Sequence, residues 1–189
     1  MEVLRTLAAV VLAPQAFFSG LGQPRAAHAL RFRFVTALAA SSVLGLLLAS
    51  GTGVSWGTWN VLDSAGRVAM LWIPVGVVLT ALGETAATLV VALVAWGLLR
   101  TVAPTLLARL VRVACYAFAA RLLFVVPSGE LPSLVLATAL FVIGLRAHVG
   151  LGWTGSLVVG VLSCAAFVPA VLACAGATAW ASYAWRLWA

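Results

Sequence analysis

Lysine does not occur in this sequence, and acidic residues number four: Glu2, Asp63, Glu84 and Glu130. Charged residues of either sign make up 8% of the chain, against about 25% in a soluble domain. A water-soluble globule is thereby excluded, and so is a disordered chain, which needs high charge and little apolar content. The three cysteines, Cys115, Cys164 and Cys174, lie inside apolar runs with no CxxC pair and no histidine at ligand spacing. That pattern indicates neither a disulfide framework nor a metal centre, and it reads as buried small hydrophobes. A nucleophile elbow, a phosphate-binding glycine loop and a zinc-binding HExxH are all missing. His28 and His148 stand singly, too few for a metal site or an acid–base pair. No catalytic residue, metal ligand or cofactor site is expected, and the chain reads as a non-enzyme.

What is present is apolar. Hydrophobic residues make up 65% of 189, and mean hydropathy is +1.18. At about 20 apolar residues per crossing, this length allows several membrane spans and no second, soluble domain. All basic residues are arginine, giving a net charge of +7. In a soluble protein that charge would suggest nucleic acid. Here the arginines flank apolar segments, so the expected partners are anionic lipid headgroups.

Three regions are expected: an interfacial amphipathic segment over 1–25, a membrane domain over 26–178 and an aromatic external tail over 179–189. In the first, Val3, Leu4, Leu7, Val10 and Val11 recur at helical spacing with Glu2, Arg5 and Thr6 opposite, the pattern of a short helix lying in the membrane surface. Pro14 stands where a signal-peptide cleavage site would need small residues. Phe17 and Phe18 continue the apolar contact and are expected at the lipid interface. Five apolar segments follow: Phe34–Ser50, entered through Arg31 and Arg33 at the interface; Val68–Leu99; Leu106–Val126; Leu131–Leu145; and Thr154–Ala177. The third is the weakest because it carries Arg109, Arg112 and Arg121. The third and fourth form either two crossings or a re-entrant hairpin about Pro127–Glu130.

Orientation follows from arginines in the short loops. Arg5, Arg25, Arg31, Arg33, Arg100, Arg109, Arg112 and Arg146 fall on one side, Arg67 and Arg186 on the other. The N-terminus is therefore expected in the cytoplasm and the C-terminus outside. Trp180, Trp185 and Trp188 then crowd the external interface as aromatic anchors; stacking on bases or sugars is the functional alternative for that tail.

Two helical stripes carry the remaining information. Ala37, Ser41, Gly45 and Ala49 recur every four residues in the first span, a small-residue face that lets helices approach closely, either within the bundle or against a partner. Thr80, Glu84 and Thr88 share one face of the second span. An intramembrane carboxylate faces the bundle interior and has a partner, and Arg121 is the opposite charge at comparable depth. Three readings stay open: a structural Glu84–Arg121 pair, a proton- or ion-moving group, and a neutral Glu84 bonded to threonine hydroxyls.

Three short elements resemble the Yip domain family, five-span membrane proteins named for interaction with Ypt/Rab proteins, in its bacterial form. They are Ala13-Pro14-Gln15-Ala16-Phe17-Phe18 before the first span, Arg112-Val113-Ala114-Cys115-Tyr116-Ala117 opening the third, and Gly144-Leu145-Arg146-Ala147-His148-Val149-Gly150-Leu151 between the fourth and fifth. The Asp-Leu-Tyr-Gly-Pro sequence of eukaryotic members is absent, so the resemblance extends to fold and topology and not to Rab binding. It implies an all-α five-span bundle with a membrane-organising or complex-forming role and carries over no catalytic residue.

The expectation is therefore an all-α polytopic protein of a bacterial cytoplasmic membrane, acting as a structural or interaction subunit. Its expected partners are lipids and another membrane protein or a second copy. A small transporter using Glu84, Arg121 and the threonine stripe is the alternative.

Overall fold

The computed structural model describes residues 2–22, 26–49, 69–100, 106–124, 130–174 and 176, and the described residues contain helices and turns without a strand. In chain order they form α1 (Glu2–Leu12), α2 (Pro14–Ser19), α3 (Ala26–Ala49), α4 (Ala69–Leu99), α5 (Leu107–Ala119), α6 (Glu130–Gly144) and α7 (Trp153–Ala165). A 3-10 turn, Ala120–Phe124, prolongs α5, and a π turn, Leu145–Val149, prolongs α6. Among the described residues three stretches are long and apolar enough to cross a membrane: Val75–Leu99, Leu131–Val149 and Trp153–Cys174.

The second of these reaches crossing length through the π turn, which ends at Gly150 with φ +83°. Glycine occupies that left-handed position without the Cβ clash any other residue would meet. The last stretch bends after Ala165. Pro169 has no N–H to donate to the Ala165 carbonyl, and just before it the Ala166 N–H bonds the Ser163 carbonyl three residues back at 3.2 Å, not the carbonyl four back. Outward positions are apolar, as in Leu82 and Leu93 of α4, Val135 of α6 and Leu157, Val161 and Leu162 of α7. Lipid, not water, suits such a surface.

The centre of the bundle is α5. Every residue from Leu110 to Ala120 is buried, because α3, α4 and α6 all pack against this helix while α7 closes on α4 and α6. Its small side chains, including Ala114, Cys115 and Ala117, permit that crowding where lipid supplies no apolar drive for association. The segment that looked weakest in hydropathy is thus the most enclosed.

The amphipathic helix α1 buries Leu7 and Val10 against the bundle, contacting α5 and the 3-10 turn, and leaves Leu4 and Leu12 exposed. Phe17 and Phe18 depart from the interfacial position expected of them. Phe18 is fully buried in the core, and Phe17 is half-buried with its ring edge-on to Tyr116 at 5.2 Å. Gly144 makes this possible: a Cβ there would collide with the Val113 side chain and lie 3.2 Å from the Phe18 ring. The missing side chain is the notch that seats Phe18.

Candidate functional site

Arg33, Glu84 and Arg121 form a charged cluster inside the bundle, with Arg33 fully buried and Glu84 and Arg121 partly so. The Arg33 Nη2 donates to Glu84 Oε2 at 2.6 Å, and its Nε donates to Thr88 Oγ1 at 3.1 Å. Thr88 in turn donates its hydroxyl to the Glu84 main-chain carbonyl at 2.8 Å. Arg121 approaches from the other side, with Nη1 3.8 Å from Glu84 Oε1. Its Nε donates to Ser133 Oγ at 3.4 Å, and its guanidinium lies 4.7 Å from the centroid of the Phe167 ring.

The sequence explains each placement. Arg31 and Arg33 are two residues apart, about 200° around a helix at 3.6 residues per turn, so they point to opposite sides. Arg31 is exposed and Arg33 is 1% exposed. The interfacial position expected for Arg33 is therefore corrected: it belongs to the bundle interior, and counting it among the loop arginines overstated the charge asymmetry. Arg112 is likewise buried and donates to the Gly22 carbonyl at 2.9 Å, which ties the chain after α2 to α5.

Arg33 extends the small-residue stripe backwards by one step of four. Ala37 and Ser41 of that stripe are buried, and α3 packs against α4 and α5. Gly45 and Ala49 lie in α3, and their side chains fall outside the described residues. On α4, Thr88 is fully buried beside Glu84, and Thr80 lies a turn away on the same face, half-buried. Trp180, Trp185 and Trp188 lie outside the described residues, as do Arg25, Arg67, Arg186 and the Pro127 turn.

Geometrically the cluster is a junction. Arg33 joins α3 to α4, and Arg121 joins the turn after α5 to α4 through Glu84, to α6 through Ser133 and to the stretch that continues α7 through Phe167. Both Glu84 oxygens face a guanidinium, Arg33 through a short charge-assisted bond, a kind about twice as strong as a neutral one, and Arg121 through a longer ion-pair contact. Among the described residues no group of three or more histidine, cysteine or acidic side chains could hold a metal. Sequence reasoning pointed to Glu84, Thr88 and Arg121 and missed Arg33, although the i+4 series through Ala37 and Ser41 carried the signal.

A second cluster lies at the α6–α7 turn. There the Arg146 guanidinium lies 4.2 Å over the centroid of the Trp153 ring. With Phe18 in its notch and Arg112 on Gly22, α2 is held against the turn that carries Gly144-Leu145-Arg146-Ala147-His148.

No family model, curated protein or solved structure matches the chain.

Proposed function

We propose that this chain is a non-enzymatic integral membrane protein that serves as a structural or interaction subunit. In this reading it crosses a bacterial cytoplasmic membrane five times, with its N-terminus inside and a Yip-like organisation. The observation that carries the reading is the engagement of Glu84 by Arg33 and Arg121. A carboxylate that moves ions must be reached by its cargo and must exchange partners during the cycle. Glu84 is instead committed to groups from other helices, and its carboxylate serves to hold them together. The apolar outer face of α7, with Leu157 and Leu162 about half exposed, supplies surface for lipid or for a neighbouring helix.

Photo-crosslinking in native membranes tests this. A benzophenone amino acid in place of Leu157 or Leu162 is expected to give a discrete protein adduct from at least one position. Purified protein in liposomes is expected to pass protons and alkali ions no faster than empty liposomes. Adducts to lipid alone, together with a flux abolished by Glu84→Gln, would replace the subunit reading with the transport one.

A further inference from the structure

The segment Gly144–Leu151 has a feature that the charged cluster does not use. Between α2 and the α6–α7 turn lies a crevice of about 540 Å³. Ala16, Ile143 and Ala147 give it an apolar wall, and Gln15, Arg146 and Trp153 form its polar side. The spanning stretches Leu131–Val149 and Trp153–Cys174 end and begin here, so the crevice opens where hydrocarbon gives way to water. Arg146 is exposed and stacks on Trp153, itself 56% exposed. A cation over a ring uses the face of the guanidinium and leaves its edge, with N–H donors in a fork that matches phosphate oxygens, available to an anion. Among the described residues no carboxylate lies within ion-pairing distance of Arg146.

We propose that this crevice binds one anionic phospholipid, its phosphate on the edge of Arg146 and the start of an acyl chain along Ile143 and Ala147. The assignment rests on the membrane reading above and names a site within it. Charge complementarity selects the occupant: an unpaired, pre-oriented guanidinium beside an apolar wall at a membrane boundary suits an anionic amphiphile. A bare anion would leave the wall wet, and an apolar helix would bury the guanidinium without a counter-charge, which is costly.

The test is native mass spectrometry of the full chain in detergent. It is titrated with dioleoylphosphatidylglycerol, with dioleoylphosphatidylcholine as the zwitterionic comparison and with inorganic phosphate. One phosphatidylglycerol is expected to stay bound per chain. Arg146→Gln should weaken it at least five-fold, and Ala147→Trp, which fills the crevice and keeps the charge, should do the same. Arg109→Gln, which removes an exposed arginine of α5 outside the crevice, should change it less than two-fold. Equal losses in Arg146→Gln and Arg109→Gln, equal retention of phosphatidylcholine, binding of phosphate alone with the same affinity, or a dimer in place of the lipid adduct would each overturn the proposal. Alkaline extraction of native membranes separates the two levels. Wild type and variants should all stay in the pellet, and release of the wild type would remove the membrane reading and the site with it.

Discussion

Removing Arg33 or Glu84 should destabilise the protein far more than removing Arg121. The Arg33–Glu84 contact is 2.6 Å long with the arginine side chain 2% exposed, whereas the Arg121–Glu84 contact is 3.8 Å with the arginine side chain 17% exposed. Breaking a buried pair by deleting one partner costs about 3–5 kcal/mol, because the remaining charge stays buried without compensation. Glu84→Leu strands Arg33 and belongs at the upper end of that range. Arg33→Met leaves Glu84 with Arg121 and belongs at the lower end. Arg121→Met loses the longer contact and the stacking on Phe167, roughly 1–2 kcal/mol. At about 2–4 °C per kcal/mol for a chain of this size, the first two should lower the unfolding midpoint in detergent by about 6–20 °C, and the third by a few degrees. Replacing both Arg33 and Glu84 with apolar residues of similar volume should recover much of the loss, since a buried pair is often no better than a packed apolar one. Differential scanning fluorimetry on the four variants reads the order directly. A larger fall for Arg121→Met than for Arg33→Met, or losses that simply add in the double variant, would refute the reasoning.

Other expectations follow from the close helix contacts and the topology. Gly144→Ala should cost about 1–3 kcal/mol by overpacking against Val113 and Phe18, while Gly155→Ala, where an added Cβ meets nothing within 4 Å, should leave the melting curve unchanged. Phe18→Ala should cost about 3–5 kcal/mol, since this ring is fully buried, and limited proteolysis should then release the N-terminal helices first. In a cysteine-free background, Thr58→Cys and Ser182→Cys should react with an impermeant thiol reagent in intact cells and Ala147→Cys should not; the reverse pattern would invert the orientation.

Composition made the helical, membrane-type character legible, because an apolar chain with four acids leaves few alternatives. The spacing of Thr80, Glu84 and Thr88 puts all three on one face of a helix, and Thr88 is bonded beside Glu84 on α4. Arg33 was harder to place, since a charge tally treats an arginine at the start of a span as part of the loop, and tertiary packing alone shows which of Arg31 and Arg33 turns inward. The centrality of α5 escaped for a related reason. Hydropathy summed along a segment penalises Arg109, Arg112 and Arg121, whereas enclosure depends on the small residues between them, Ala114, Ala117 and Ala120, that let three helices close in. Phe18 and Gly144 are 126 positions apart in sequence, and nothing local in either segment announces that one is the notch for the other.

The central claim is that the Glu84 cluster is a sealed structural junction, and accessibility of Thr88 tests it most directly. Thr88 is fully buried and accepts the Arg33 bond beside Glu84. In a cysteine-free background in native membranes, Thr88→Cys should resist small water-borne thiol reagents applied from either side, while Arg146→Cys at the exposed α6–α7 turn reacts readily. Rapid modification of Thr88→Cys from either side would show an aqueous path to Glu84 and contradict the account.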